Sequence, residues 1–233
     1  MVDAPHWEVE AELFAHGFTR VGAIDEVGRG SAFGPLCVGL CVIDASVGDI
    51  PAGLRDSKLL APPARDKLVG PINAWVLDAA VGEASAAEID DFGLTAALRL
   101  AGRRALSQLR TYPDVVLLDG SHDWLSDPRQ ESLMSVPYPE VVVPPVRTKV
   151  KADMSCASVA AASVLAKVHR DAVVTELARA VPGYDLANNK GYATATHLAA
   201  LQHLGPSAYH RLSWNLPSRV GASPPTDVPA ALA

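Results

Sequence analysis

The chain has 233 residues, 49% hydrophobic and 20% charged, which is enough for one or two domains with a substantial core. No apolar stretch approaches the roughly 20 residues of a membrane helix, and the acidic N-terminus lacks the basic start and apolar run of a secretory signal. We therefore expect a cytoplasmic protein without a membrane partner. The net charge of −6 argues against a generally basic nucleic-acid-binding surface but leaves room for a local one.

The first part of the chain predicts a sheet that starts with a hairpin. Apolar, β-branched runs at 21–25 and 36–43 predict consecutive, antiparallel strands on either side of a Gly-rich segment. Residues 54–58 predict a loop. Pro62 and Pro63 suit the first turn of a helix, and residues 75–82 predict a third strand.

The middle of the chain predicts a helix and two further strands. The helix spans Thr95–Arg110, with Thr95 as its candidate N-cap and basic residues toward its end, where the helix dipole favours them. The unbroken apolar run that ends at Asp119 is typical of a buried strand following a helix. Residues 121–139 predict a loop, and 140–144 predict another strand.

The last third of the chain predicts helices. Residues 155–180 contain neither Gly nor Pro and predict the longest helix, and a further helix is predicted over 194–204. Strands followed by interleaved helices predict one α/β domain with a helical C-terminal part. We expect an N-terminal extension at 1–18, the domain itself at 19–216, and a proline-rich, disordered tail at 217–233.

The three cysteines are Cys37, Cys41 and Cys156. Cys37 and Cys41 lie four residues apart on a predicted strand, so they lack the spacing of a metal-binding CxxC turn. We expect all three to be small buried residues rather than metal ligands.

Carboxylates follow the predicted strands and precede the longest helix. Asp25 and Glu26 close the first strand, Asp119 closes a later one, and Asp153 comes just before the long helix. Oxygen ligands without a neighbouring His or Cys cluster suit Mg²⁺ or Mn²⁺ rather than zinc. Taken singly, these residues have ordinary alternatives: a solvated hairpin turn around 25–30, an Asp-Gly turn at Asp119, and a helix N-cap at Asp153.

Six short motifs occur in an order that resembles ribonuclease HII of the bacterial type. They cover about residues 20 to 200 and are Asp25-Glu26-Val27-Gly28-Arg29-Gly30, Asp56-Ser57-Lys58, Leu118-Asp119-Gly120, Lys151-Ala152-Asp153, Ala160 to Asp171, and Gly191-Tyr192-Ala193-Thr194. The resemblance implies a ribonuclease H-like fold, a mixed β-sheet flanked by helices. It implies an endoribonuclease that cleaves RNA in RNA–DNA hybrids and at single ribonucleotides in duplex DNA, leaving 3′-hydroxyl and 5′-phosphate ends.

The same resemblance assigns roles to residues. Asp25, Glu26, Asp119 and Asp153 match the metal-binding carboxylates that would hold two Mg²⁺ or Mn²⁺ ions. Further matches concern the substrate. They are the turn Gly28-Arg29-Gly30 at the ribose of the RNA-to-DNA junction, Tyr192 as the junction-sensing tyrosine, and Lys58 as a phosphate contact on a loop.

Ser163, Lys167 and Arg170 follow i, i+4, i+7 spacing and so share one helix face. This face either meets the nucleic-acid backbone or holds an internal salt bridge to an acid, and the sequence leaves both interpretations open. His169 and His197 are not assigned a catalytic role, because two-metal hydrolysis does not require histidine. A monomer is expected, and a contact with a replication or repair protein stays open.

Two other functions share part of this pattern. One is a nucleic-acid-binding protein that kept the fold but lost catalysis, although four carboxylates facing a phosphodiester would weaken its binding. The other is a resolvase-like or integrase-like nuclease, which shares the acidic cluster but not the Gly-Arg-Gly turn and the tyrosine.

Overall fold

A computed structural model describes residues 4–126 and 136–217. The strands are β1 (Val21–Val27), β2 (Leu36–Ile43), β3 (Asp78–Ala84), β4 (Val115–Asp119) and β5 (Val146–Lys149). The helices are α1 (Glu8–Ala15), α2 (Pro62–Trp75), α3 (Ala86–Phe92), α4 (Leu94–Gln108), α5 (Ala152–Ser155), α6 (Ala157–Ala180), α7 (Leu186–Asn189) and α8 (Ala195–Leu204), with a 3-10 turn at Ser57–Leu59. In these described ranges, no helix is long and apolar enough to span a membrane.

The five strands form one mixed sheet in the order β3-β2-β1-β4-β5. β1, β2 and β3 pair antiparallel, whereas β1 with β4 and β4 with β5 pair parallel. Ile24 of β1 lies opposite Leu118 of β4. The residues that follow them, Asp25 and Asp119, therefore lie side by side at the same end of the sheet, where open α/β sheets usually build their sites.

Helices cover both faces of the sheet, because alternate side chains of each strand point to opposite sides. On β2, Cys41 and Ile43 pack in the cluster that contains α6 residues, while Leu36, Val38 and Leu40 pack in the cluster that contains α4 residues. The expected ribonuclease H-like arrangement of a mixed sheet between helices is confirmed.

Glycines let α6 and α4 approach the sheet closely. A Cβ added at Gly39 would lie 2.3 Å from the carbonyl oxygen of Ala162 on α6. A Cβ added at Gly82 would lie 1.9 Å from the carbonyl oxygen of Ala101 on α4. Both distances are far inside van der Waals contact, so these sheet positions require glycine.

The residues before β1 pack on the core. Glu10 of α1 is 0% exposed, and its Oε1 accepts hydrogen bonds from the backbone N–H and the hydroxyl of Ser158 at 3.0 and 2.6 Å. The Trp7 and Trp75 rings lie 5.3 Å apart, which joins this segment to α2. Glu10 thus supplies an acceptor to the first turn of α6, whose N–H groups have no partner within the helix.

Several predicted boundaries were wrong. No strand forms over 140–144; β5 begins at Val146, after Pro144 and Pro145, and proline cannot donate to a strand ladder. The third strand begins at Asp78 because Trp75 still belongs to α2, and Gly93 rather than Thr95 is the N-cap of α4.

The ends of the predicted C-terminal elements also differ in detail. The segment predicted as one helix from residue 155 is divided at Cys156 into α5 and α6. The helix predicted over 194–204 forms as α8, with Thr194 as its N-cap. Cys37, Cys41 and Cys156 are free, buried thiols, as expected. The predicted tail, 217–233, lies outside the described residues except for Pro217.

Candidate active site

Three carboxylates from separate elements meet at the edge of the sheet. One oxygen each of Asp25 (β1), Asp119 (β4) and Asp153 (α5) lie within 4.8 Å of one another. Asp119 Oδ1 also accepts a hydrogen bond from the N–H of Ala152 at 2.7 Å, which ties α5 to the end of β4. The parallel β1–β4 pair and this hydrogen bond explain how residues 25, 119 and 153 come together.

Glu26 lies in the same cleft but outside that trio. Its Oε1 is 3.3 Å from Nη1 of Arg29, with which it forms an ion pair. As the neighbour of Asp25 on a strand, it would point away from the cluster if the strand continued straight. The strand ends at Val27, and Glu26 lines the cleft together with Asp25 and Asp119.

Burial makes the acidic cluster electrostatically costly in the absence of a cation. It raises the pKa of Asp25 to about 8, helped by the charge of Glu26 and opposed by a hydrogen bond from Ser163. It also raises the pKa of Asp119, where Asp153 adds repulsion, and of Glu26, where Arg29 opposes the shift. A close set of buried oxygen donors with excess negative charge fits a hard divalent cation such as Mg²⁺ or Mn²⁺.

Lys58 reaches into the cluster from the 3-10 turn. Its Nζ lies 2.8 Å from Asp153 Oδ2 and 3.9 Å from Asp56 Oδ1, although 67% of the side chain is exposed. Burial opposes its charge, but the hydrogen bond with Asp153 and the nearby carboxylates raise the pKa of Lys58. The ammonium group is therefore held at the mouth of the site as a counter-charge.

The turn after β1 rests on two buried arginines. The guanidinium of Arg211 donates to the carbonyl oxygens of Gly28 and Arg29 at 2.6 and 3.0 Å. Gly28 has φ +84°, and an added Cβ would lie 2.1 Å from Nε of Arg170. The turn is thus fixed from the protein side, while Gly28, Arg29 and Gly30 line the cleft.

Arg170 lies under this turn instead of on a surface. It is 0% exposed, and its guanidinium donates to Ser31 Oγ and to three carbonyl oxygens, those of Phe33, Pro35 and Lys190, at 2.8 to 3.0 Å. The expectation that Arg170 touches the nucleic-acid backbone was wrong, because the side chain has no exposed surface. The alternative interpretation was an internal salt bridge between Arg170 and an acidic residue. The hydrogen-bond partners of Arg170 are instead carbonyl oxygens and a hydroxyl.

The other two residues of that helix face have different surroundings. Ser163 is 1% exposed, and its hydroxyl lies 2.8 Å from that of Ser57, next to the Lys58 turn. Lys167 lines the cleft and forms an ion pair with Asp171. Of the predicted helix face, Lys167 therefore reaches the cleft, whereas Ser163 supports the cluster from within.

Tyr192 also lines the cleft and is 38% exposed. Its ring lies 5.6 Å from the guanidinium carbon of Arg170. The cleft holds about 230 Å³. The predicted residues that line it are Asp25, Glu26, Gly28, Arg29, Gly30, Lys58, Asp119, Lys167 and Tyr192.

Sequence reasoning missed Arg211 and misplaced Arg170. Arg211 lies more than 180 residues after the turn it supports, and its approach to that turn follows from a bridge between Phe33 and His210. Neither periodicity nor spacing carries a signal for such a distant pairing. The sequence also does not show which arginines will be buried against backbone carbonyl oxygens and which will face solvent.

A second group of metal-type side chains lies outside the cleft. Ligand atoms of Cys37, Glu83 and His169 lie within 4.8 Å of one another. Burial raises the pKa of the Cys37 thiol to about 12, and the Nε2 atom of His169 is 2.5 Å from Glu83 Oε1. The arrangement is that of a Glu–His pair beside a protonated, buried thiol.

Solved structures share this fold. Ribonuclease H2 from Pyrococcus horikoshii OT3 matches with a TM-score of 0.63 at 25% identity, over 84% of this chain and 94% of that one. Bst-RNase HIII matches in fold with a TM-score of 0.65 at 23% identity, over 87% of this chain and 70% of that one. The fold and the acidic site together define a nuclease of the ribonuclease H type.

Sequence relatives narrow the class further. The family model described as Ribonuclease HII matches residues 22–216. Ribonuclease HII of Streptomyces griseus is 45% identical over 91% of this chain and 84% of that protein, and that of Nitrosococcus oceani is 42% identical over 84% and 88%. The chain belongs to the ribonuclease HII family and is a hydrolase, an endoribonuclease. The resemblance seen in the sequence is confirmed.

Proposed function

We propose that this endoribonuclease cleaves the RNA strand of RNA–DNA hybrids and cuts 5′ to single ribonucleotides embedded in duplex DNA, leaving 3′-hydroxyl and 5′-phosphate ends. The observation that carries the proposal is the cleft itself. The Asp25 and Asp119 carboxylates, the Gly28–Gly30 turn and the partly exposed Tyr192 all line it. Chemistry and recognition of the sugar would thus occur in one place.

Asp25, Glu26, Asp119 and Asp153 would hold the cations, and we propose two Mg²⁺ or Mn²⁺ ions. When bound, such ions activate a water molecule and stabilise charge on the scissile phosphate and the leaving oxygen. The protein contributes positioning: the N–H of Ala152 holds Asp119, and the Ser163 hydroxyl lowers the pKa of Asp25 against the effect of burial. Because an activated water would be the nucleophile, the protein would need no nucleophilic side chain of its own.

The basic side chains at the rim of the cleft would bind the nucleic-acid backbone. Arg29, with 58% of its side chain exposed, and Lys58, with 67%, lie at the mouth of the acidic site. Phosphate contacts of this kind position a duplex without reading its sequence. They also offset the local repulsion between phosphates and carboxylates in a chain whose net charge is −6.

Recognition of RNA would use the 2′-hydroxyl, which is what distinguishes the two sugars. With the carbonyls of Gly28 and Arg29 held by Arg211, the Gly28–Gly30 turn presents a fixed backbone surface to the cleft. We propose that this surface contacts the ribose at the junction. Tyr192 would pack on the following deoxyribose and hydrogen-bond the same 2′-hydroxyl.

An incision assay tests the proposal. Three substrates are compared in Mn²⁺ and in Mg²⁺: a DNA duplex with one ribonucleotide, the same duplex without it, and a long RNA–DNA hybrid. We expect cleavage of the first and third, none of the all-DNA duplex, and none of any substrate in EDTA. Equal cutting of the ribonucleotide-containing and all-DNA duplexes would overturn the proposal, and binding without incision would leave a nucleic-acid-binding protein.

The cytoplasmic location, the monomeric state and a contact with a replication or repair protein stay predictions from the sequence. Sedimentation of the purified protein tests the second of these directly.

A further inference from the structure

Two buried histidines connect the C-terminal part of the described chain to Tyr192. His197 of α8 is 0% exposed and His210 is 1% exposed. Their Nε2 atoms lie 3.0 Å apart, His197 Nδ1 lies 2.9 Å from the carbonyl oxygen of Tyr192, and His210 Nδ1 accepts from the N–H of Ser207 at 2.9 Å. These contacts form one continuous row of hydrogen bonds.

The chemistry of the two ends fixes the direction of every bond in the row. The N–H of Ser207 can only donate, so Nδ1 of His210 accepts, and a neutral His210 carries its proton on Nε2. That proton is donated to Nε2 of His197. His197 therefore carries its own proton on Nδ1 and donates it to the carbonyl oxygen of Tyr192, which can only accept.

The surroundings keep His210 neutral and pack tightly around its ring. Burial, with the neighbouring His197, lowers the pKa of His210 to about 4, so that His210 is uncharged at neutral pH. Its ring packs on Phe33 and Tyr184, with centroids 4.9 and 4.8 Å away. The hydroxyl of Ser207, 2.8 Å from Nδ1 of His210, can donate to the same atom.

Tyr192 depends on its backbone for its position. Its side chain is partly exposed, whereas its N–H donates to the carbonyl oxygen of Asn189 and its own carbonyl oxygen accepts from Thr194 N–H and His197. A shift of the carbonyl therefore moves the ring relative to the carboxylates. The row of hydrogen bonds can hold the Tyr192 carbonyl in one place. Each of its protons has only one possible position, so no alternative hydrogen-bonding pattern competes with it.

We propose that His197 and His210 are positioning residues: with His197 protonated on Nδ1 and His210 on Nε2, they hold Tyr192 at the place where it senses the RNA-to-DNA junction. This inference rests on the role of Tyr192 in the proposed function. Neither histidine touches the substrate, and neither takes part in proton transfer.

The functional test uses side chains that imitate one ring nitrogen at a time. His197→Ala removes the donor to Tyr192, whereas His197→Asn can keep a donor near the position of Nδ1. We expect His197→Ala to lower the ratio of single-ribonucleotide to long-hybrid cleavage about three- to tenfold, the worth of one hydrogen bond. His197→Asn should recover most of that ratio, and the exposed His203→Asn on the same helix should leave it unchanged.

Two further variants test the other half of the row. His210→Gln can keep a donor near the position of Nε2, whereas His210→Asn cannot reach it, so Gln should preserve the substrate ratio better. The double variant His197→Ala, Tyr192→Ala should show no larger loss of the ratio than Tyr192→Ala alone. An additive loss of the substrate ratio in the double variant would overturn the proposal. So would equal losses of activity on both substrates together with a lower melting temperature in the histidine variants, which would show a merely structural role.

A spectroscopic measurement is independent of activity. Long-range ¹⁵N–¹H correlation of the histidine-labelled protein distinguishes the two tautomers, and the variants above assign the signals. We expect the Nδ1–H form for His197 and the Nε2–H form for His210; an Nε2–H form for His197 would overturn the proposal. Should the wild-type protein fail to cut a ribonucleotide-containing duplex, the proposed function fails, while this measurement still decides whether the row exists.

Discussion

Lys58 donates a hydrogen bond to Asp153 at 2.8 Å, so an exposed lysine shares the carboxylate that the site would offer to a metal ion. In the absence of a divalent cation, the ammonium group offsets part of the negative charge of the cluster. A cation that enters the site must compete with it. We predict that Lys58, once displaced from Asp153, contacts a phosphate of the substrate.

The variant Lys58→Gln should therefore have two opposite effects. Mn²⁺ alone should bind about two- to fivefold more tightly, the range expected for one largely exposed ion pair. Incision should weaken through a higher KM, because a phosphate contact is lost. Calorimetric titration with Mn²⁺ and steady-state incision measure the two effects, with Lys67→Gln on α2 as a control of equal charge. Unchanged Mn²⁺ affinity would show that Lys58 does not compete for the site.

Asp25→Asn should abolish incision and stabilise the metal-free protein at high pH. Burial raises the pKa of Asp25 to about 8, from an ordinary value of 3.8. The folded state thus holds a proton that the unfolded state has lost, and the stability that depends on this proton falls as pH rises from about 4 to 8. The asparagine variant has no such loss.

Thermal unfolding in EDTA measures this difference. We expect the melting temperature of Asp25→Asn to exceed that of the wild type by at least about 3 °C at pH 9 and by much less at pH 5. Comparing the two proteins at each pH reduces the contributions of Glu26 and Asp119, whose pKa values are also raised, to the part that depends on the charge of Asp25. A constant difference across this range would contradict the assignment.

The sequence predicted those site residues that lie at strand ends or in short motifs. Asp25 and Asp119 were expected to close strands, and the parallel pairing of β1 with β4 brings them to one edge. The burial of Arg170 was not predictable, because i, i+4, i+7 spacing defines a helix face without saying what covers it. The run of valines at 141–143 resembled a strand, but Pro144 and Pro145 delay the pairing to Val146.

Gly28→Ala and Gly30→Ala separate the fold of the turn from its contact with substrate. At Gly28, the positive φ and the clash with Arg170 predict a loss of about 2–5 kcal/mol of unfolding free energy. At Gly30, an added Cβ meets no atom of the described residues within 4 Å, so stability should change by less than about 0.5 kcal/mol. Denaturant unfolding measures both changes.

Gly30→Ala should nevertheless reduce incision, because a methyl group on the cleft side would hinder close approach of the ribose. The assay is incision of the duplex with one ribonucleotide. Full activity of Gly30→Ala would show that this residue does not contact the sugar.

Glu10 tests whether α1 belongs to the stable domain. Glu10→Ala should lower the unfolding free energy by about 1–3 kcal/mol, because the N–H and hydroxyl of Ser158 lose their buried acceptor. Glu10→Gln keeps an acceptor oxygen and should lose less. Urea unfolding measures the change, with Glu12→Ala at an exposed position of α1 as the control. Equal unfolding free energies of the Glu10→Ala and Glu12→Ala variants would show that the Glu10–Ser158 contact does not stabilise the domain.

Tyr192→Ala should impair cleavage at an isolated ribonucleotide more than cleavage of a long RNA–DNA hybrid. A single ribonucleotide offers one 2′-hydroxyl at one junction, so the loss of the ring that packs beside it cannot be compensated by neighbouring ribonucleotides. The measurement is kcat/KM on both substrates. Tyr209→Ala is the matched control, because Tyr209 is 37% exposed, against 38% for Tyr192, but does not line the cleft. Equal losses on both substrates would show that Tyr192 supports catalysis in general and does not sense the junction.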